Sequence, residues 1–206
     1  MLKIRYKLAR FFCGFLPPIM SQQLRHLFIK LPEGADLNIN FRQKSFTGSY
    51  FYGNTSDFHA FKFFIHGFFD WRNIIIAENV LSHLTGGIVE VGANIGTETI
   101  SFSDVARKFG HKVIAFEPLP SNIKILENNL IKNRITNVLL VDCLVSDYVG
   151  EADFQVPAIK DSGSGFIAQN QNENTITAQV TTLDEFCSGY STAIICMDVE
   201  GFEFQV

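Results

Sequence analysis

The sequence predicts an α/β protein built on a doubly wound, mostly parallel sheet, preceded by an aromatic-rich N-terminal extension. Three observations carry this. Short apolar runs "IVEV" (88–91), "KVIAF" (112–116), "NVLLVD" (137–142) and "AIICMDV" (193–199) read as strands. Helical patterns separate the first three in units of about 25 residues, the rhythm of strand-helix-strand crossovers. The first part of the chain lacks that rhythm, yet holds 13 of the 21 phenylalanines before residue 71.

Taken in chain order, residues 1–73 form the extension and residues 74–206 the α/β domain. The start "MLKIRYKLARFFCGFLPPIM" imitates a secretory signal, but Pro17-Pro18 breaks the apolar run and no small-residue cleavage site follows. It is too short to span a bilayer. The favoured reading is a helix packed on the domain; the alternative is peripheral membrane contact through residues 1–20. In "SYFYGNTSDFHAFKFFIHGFFDWRN" (49–73), Gly53-Asn54 and Gly67 read as turns. "IIIAENVLSHL", from residue 74, reads as a helix stopped by Gly86-Gly87.

Phe102, Val105, Ala106 and Phe109 recur at helical spacing, so residues 97–109 are an amphipathic helix ended by Gly110. Pro120 and Ser121 open another helix, with Ile123, Leu126 and Leu130 on one face. "EADFQV" and "TAQVTTL" read as a strand pair around the polar segment "KDSGSGFIAQNQNENT". That segment is taken as a solvated loop, with a lid or substrate loop as the alternative. The last residues, "DVEGFEFQV", follow directly on a strand, so the chain reads as a fragment or a truncated product, its sheet incomplete at the C-terminus.

Charge and composition narrow the function. The net charge of −4 is uneven: residues 1–30 hold six bases and no acid, leaving 11 bases against 21 acids beyond them. So acidic a body is a poor partner for nucleic acid, whose phosphates need a basic surface. Cys13, Cys143, Cys187 and Cys196 show neither disulfide nor metal spacing, and the five histidines are dispersed. The expectation is free thiols, a cytoplasmic protein and no metal site.

The stretch "IVEVGANIGTETISF" (88–102) raises the question of a ligand. A strand, a glycine turn and a helix present amides and a positive helix end to an anion. The pattern from Gly92 through Asn94 to Gly96 lacks the third glycine of a dinucleotide fingerprint, and Glu90 precedes it. An acid there suits a cation better than a phosphate. A ligand carrying both a carboxylate and an ammonium answers both features, the first at the loop amides and the second at Glu90. Glu117, at the carboxyl end of the second strand, can accept bonds from both hydroxyls of a ribose. Asp142, ending the third strand, lies where an adenine amino group can be bound. Amino acid, ribose and adenine in a row describe S-adenosyl-L-methionine.

The blocks "VEVGANIGTETISF", "VIAFEPLPSNIKILENNLIKN", "VSDYVGEADF", "VTTLDEF" and "ICMDVEGFE" resemble, in order and spacing, the FkbM-type methyltransferase family. The resemblance spans roughly residues 67–206 and implies a class I, Rossmann-like fold. It also implies O-methylation of hydroxyls on sugars, glycans or natural products, with S-adenosyl-L-methionine as cofactor. It places Glu90, Gly92, Asn94 and Gly96 at the methionine end, Glu117 at the ribose and Asp142 beside the adenine. "GFFD" at 67–70 departs from the family's usual glutamate, and Cys196 stands where a lysine is usual.

Asp198 and Glu200, ending the later strand, are the candidate catalytic bases; a helix cap for Glu200 and a structural hydrogen bond for Asp198 are their bland alternatives. Asp57, His59 and His66 are further candidates for a base or a sugar contact. Asn133, in the block "NNLIKN", reads as a helix C-cap. Two other functions compete: an NAD-dependent sugar-nucleotide enzyme, against which the missing glycine speaks, and a non-catalytic cofactor-binding fragment.

Overall fold

The computed structural model describes residues 2–157, 161–168, 174–199 and 203–206. The N-terminal part opens with helices α1 (Leu2–Cys13) and α2 (Pro18–Phe28). Pro17-Pro18 separates them, and Pro18 takes the first helical position, where its missing N–H costs nothing. A short helix α3 (Leu31–Ala35) leads to an antiparallel hairpin, β1 (Asn40–Lys44) and β2 (Tyr50–Asn54), and then to helix α4 (Phe58–His66). Asp57 caps α4 by accepting the Ala60 N–H at 2.8 Å, and Gly67 ends it in the left-handed region at φ 77°.

The hairpin departs from the sequence expectation. Gly53 and Asn54 lie inside β2, paired with Phe41 and Asn40. Gly53 serves close packing: a Cβ there would sit 2.5 Å from the Phe51 ring. The phenylalanines are mainly core. Phe61 and Phe64 pack with Ala9, Cys13 and Ile29, while Phe51 and Phe63 pack with Ile95 and Ile100 of the α/β part.

The α/β part begins with α5 (Trp71–Leu81), three residues ahead of the expected start because Asp70 caps it through the Arg72 N–H. Then follow β3 (Gly87–Val91), α6 (Thr99–Lys108), β4 (Val113–Phe116), α7 (Pro120–Asn133) and β5 (Val138–Val141). Beyond them come β6 (Leu144–Val145), β7 (Gly150–Gln155), β8 (Phe166–Ile167), β9 (Thr175–Thr181), α8 (Leu183–Phe186) and β10 (Thr192–Met197). The main sheet is parallel throughout, in the order β10-β3-β4-β5. Ile88 and Val113 pack against Phe102, Val105 and Ala106 of α6 and against α5 on one face. Val89, Val91, Ile114 and Phe116 meet Leu183 and Cys187 on the other. Helices on both faces make the sheet doubly wound, as the alternation predicted.

The expected strand pair is present as β7 and β9, antiparallel over six residue pairs. It belongs to a second sheet, ordered β6-β9-β7-β8, whose core joins Leu144, Phe154, Ala178 and Val180 to Leu119.

Asn129 and Asn133 have a different role from a helix cap. The Asn129 side chain accepts the Tyr52 N–H at 2.7 Å and donates to the Tyr52 carbonyl at 3.0 Å. Asn133 does the same for Tyr50, at 2.8 and 2.6 Å. Two amides one helical turn apart thus act as a substitute strand along the free edge of β2. The left-handed residue ending α7 is Arg134, at φ 54°.

Candidate active site

The sheet order sets the place of the site. From β3 the chain steps outward to β4 and β5, and β10 is added on the opposite side of β3. Such a switch point leaves a crevice at the carboxyl ends of the diverging strands. Here a cleft opens, with about 870 Å³ of space between its walls when the solvent at its mouth is included. Its walls come from three parts of the chain: His59 and Phe69 of the N-terminal part, the loop after β3 with the ends of β4 and β10, and Phe154 with the segment around Ser162–Ile167.

The glycine loop forms the floor. Gly92, Asn94 and Gly96 all have positive φ, at 86°, 53° and 86°. At Gly92 a Cβ would lie 2.3 Å from the Asp198 carbonyl oxygen, so only glycine lets β3 and β10 converge here. The loop amides are used internally. Gly92 and Ala93 donate to the Phe116 carbonyl at 3.0 and 2.9 Å, and Gly96 donates to the Ala93 carbonyl at 2.9 Å. Asn94 N–H donates to Glu117 Oε2 and Ile95 N–H to Asn94 Oδ1, both at 2.7 Å. Instead of meeting a ligand's carboxylate directly, these amides fix the loop's shape.

Glu90 and Glu117 both line the cleft. Glu90 lies on a strand buried along its whole length, and its Oε2 has no hydrogen-bond partner among the described residues. Burial, reinforced by the Glu98 carboxylate, pushes its carboxyl well above the ordinary value. Glu117 Oε1 accepts the Leu119 N–H at 3.0 Å and the Asn122 amide at 3.1 Å. Burial still raises its carboxyl to about 7, against those bonds. Glu117 therefore ties the loop after β3 to the start of α7 while facing the cleft.

Asp142 takes a different position. It is exposed at the end of β5 and lies outside the cleft lining, which Cys143, Leu144 and Val145 continue in its place. Asp198 lines the cleft at the end of β10, its N–H donating to the Val91 carbonyl at 3.1 Å. Glu200 lies outside the described residues.

The structure adds one carboxylate that the sequence did not single out. Glu98, just ahead of α6, lines the cleft; it accepts a bond from the Asn73 amide at 3.0 Å, and burial raises its carboxyl to about 7. The sequence signal was faint, since an acid before a helix reads as a dipole partner. His59 stacks on Phe69 with centroids 4.5 Å apart, and its Nε2 stands 3.7 Å from Asp161. Burial lowers its pKa, favouring the neutral ring. His66 lies away from the cleft, bonded to Ser21 Oγ at 2.7 Å, and burial drives it down to about 3. The Cys196 thiol beside the site is pushed up to about 12 by burial and by Glu98, so it stays neutral.

The polar segment expected as a solvated loop helps to cover the cleft. Ser162 N–H donates to Asp57 Oδ2 at 3.0 Å, and the Ser162 carbonyl accepts the Asn122 amide at 3.2 Å. Gly163 packs so closely on His59 that a Cβ would fall 2.5 Å from Nε2.

The fold is a doubly wound α/β sheet with an acidic cleft at its switch point. The Methyltransferase FkbM domain matches residues 90–206, more than half of the chain, and the chain belongs to that family. No curated protein matches it. Among solved structures it is similar to the methyltransferase FkbM from Methylobacillus flagellatus KT, at 14% identity and a TM-score of 0.44, over 98% of this chain and 42% of that one. It is also similar to precorrin-6y C5,15-methyltransferase from Geobacter metallireducens GS-15, at 22% identity and a TM-score of 0.29, over 35% and 38% of the two chains. The chain thus spans less than half the length of the solved proteins it matches.

Proposed function

We propose that the cleft binds S-adenosyl-L-methionine and that the chain takes part in transferring its methyl group to a hydroxyl of a sugar, glycan or natural product. One observation carries the reading. The described lining includes Glu90, Glu98, Glu117 and Asp198 and contains no lysine or arginine. These carboxyls can ionise beside a ligand bearing ammonium and sulfonium charges, whereas the pyrophosphate of a dinucleotide finds no cation to meet it. The unpartnered Glu90 Oε2 fits the same need, because a buried acceptor left alone costs about 1–3 kcal/mol until a donor reaches it.

When bound, the cofactor supplies an electrophilic methyl group on a positively charged sulfur. Glu90 and Glu98 face its ammonium, and Glu117 accepts one ribose hydroxyl at the acceptor site left on Oε2. The backbone at Thr97 and Glu98, which line the cleft just ahead of α6, meets the carboxylate that the loop amides do not. Asp142 flanks the adenine from the rim, next to the apolar wall of Cys143 and Leu144. Alignment of acceptor and methyl group can supply about 7–11 kcal/mol of the acceleration. Asp198 takes the acceptor's proton, a contribution of roughly 10²–10⁴-fold for a positioned base. Glu200 is the second carboxylate proposed for that step, and the neutral His59 ring is a third group able to accept the proton.

Calorimetric titration with S-adenosylhomocysteine and with NAD tests the proposal. The first should bind and the second should not; NAD binding alone, or silence from both, overturns it. Glu117→Ala should weaken S-adenosylhomocysteine binding by roughly 1–3 kcal/mol, the worth of charged hydrogen bonds. Urea unfolding run in parallel separates this from a loosened loop. Unchanged affinity removes the ribose role.

A further inference from the structure

Helix α1 carries two apolar faces. Leu2, Tyr6, Ala9 and Cys13 form the inner one, packed on Phe61, Phe64 and Ile65. At 100° per residue, Ile4, Leu8, Phe11 and Phe12 fall on the opposite side, and Phe15 in the turn after the helix joins them through its contact with Phe11. They are exposed, Phe11 at 61% and Phe15 at 77%. The rings of Phe11, Phe12 and Phe15 touch edge to face, with centroids 5.1–5.4 Å apart. Phe12 stacks on Phe28 of α2 at 5.6 Å, and α2 adds Ile19, Met20 and Leu27, exposed at 53–79%. Eight large apolar side chains within 24 residues thus face water across two packed helices, a concentration that marks an interaction surface.

Charge identifies the occupant. Residues 1–30 contain six bases and no acid, against the acidic body of the chain. Lys3 and Lys7 are exposed beside the outer stripe and have no ion-pair partner among the described residues. On the far side of the stripe, Arg5 is held by Glu33 at 2.8 Å. No described helix is long and apolar enough to cross a membrane. Aromatic and aliphatic side chains on one face, flanked by lysines, are the pattern of a helix lying in the interface of an anionic bilayer.

We infer that α1 and α2 form a peripheral docking surface for an anionic lipid membrane. The outer stripe enters the headgroup boundary, Lys3 and Lys7 meet lipid phosphates, and the inner stripe keeps the helix pair attached to the rest of the chain. The surface is separate from the cleft, so its failure leaves cofactor binding untouched.

Sedimentation of the whole chain with vesicles tests the inference. The chain should sediment with vesicles of phosphatidylcholine and phosphatidylglycerol and far less with phosphatidylcholine alone. Phe11→Ser with Phe15→Ser should lower the bound fraction by at least about tenfold. Lys3→Glu with Lys7→Glu should do so by about tenfold through charge alone. All four side chains face solvent, so the urea midpoint should not move in either variant. The inference is overturned if the wild-type chain stays in the supernatant, or if both variants sediment as it does. It is equally overturned if the chain is dimeric without lipid and the phenylalanine variant is monomeric, because a second copy then covers the surface.

Discussion

Glu98 closes the glycine loop with a carboxyl that burial raises to about 7, and Glu117 shares that value. A carboxyl with its folded value raised keeps a proton between about 4.5 and 7 that the unfolded chain has released. Its contribution to stability is therefore greatest below about 4.5 and is lost as the pH rises to about 7, a change of about 3 kcal/mol for Glu98. His66, held down to about 3, titrates with the opposite sign below its ordinary value, so the wild-type profile mixes the two. The difference between wild type and Glu98→Gln isolates one group. Glutamine keeps the acceptor for Asn73 and carries no charge, so the variant should be more stable by up to about 3 kcal/mol at about pH 8 and equal near about pH 4.5. Urea unfolding at the two values measures this, and a difference independent of pH would show that Glu98 is not held protonated. Under the proposed function, the same variant should bind S-adenosylhomocysteine more weakly, the usual exchange of stability for function. Glu90 and Glu117 were legible because an acid within or just after an apolar strand is costly unless used. Glu98 was not, because its burial comes from Asn73 and the cleft walls, which only the folded chain brings together.

The elements that were legible are those whose periodicity follows from burial. The helix α6 and the strands β3 and β4 show it, with Phe102, Val105, Ala106, Val89 and Ile114 all inside. The hairpin of β1 and β2 escaped because part of its stability comes from outside its own sequence. Its outer edge is paired by Asn129 and Asn133, 77 and 83 residues away from their backbone partners. Asn129→Ala should cost about 1–3 kcal/mol, because both backbone groups of Tyr52 then lose the partner that the buried Asn129 side chain supplies. Asn129→Asp keeps the acceptor for the Tyr52 N–H and places a second carboxylate oxygen against the Tyr52 carbonyl, so it should cost at least as much. Equilibrium unfolding of the two variants checks the point. If the aspartate restored wild-type stability, donation to the carbonyl would be of no consequence. Asn133 should matter less, since it is only partly buried whereas Asn129 is fully buried.

At the scale of the molecule, the cleft is closed by joining parts far apart in sequence. Asp57 stands at that junction: Oδ1 caps α4, and Oδ2 holds the Ser162 N–H across a separation of 105 residues. A lid reading of this segment was open in the sequence, but its polar, glycine-rich composition pointed as readily to a solvated loop. Only the contacts with Asp57, Asn122 and His59 decide where it lies. The two tasks of Asp57 can be separated by chemistry. Asp57→Ser keeps a hydroxyl for the Ala60 N–H, and serine ranks with aspartate as a helix cap, so stability should stay within about 1 kcal/mol. The second oxygen is lost, and with it a charge-assisted bond that anchors the segment over the cleft. Dissociation of S-adenosylhomocysteine, followed by displacement in a stopped-flow instrument, should then quicken by about tenfold or more. Asp57→Ala should add to that a loss of about 1 kcal/mol in stability, because the cap is removed as well. Equal dissociation rates in the wild type and the serine variant would mean that the segment rests on the protein without retaining the ligand.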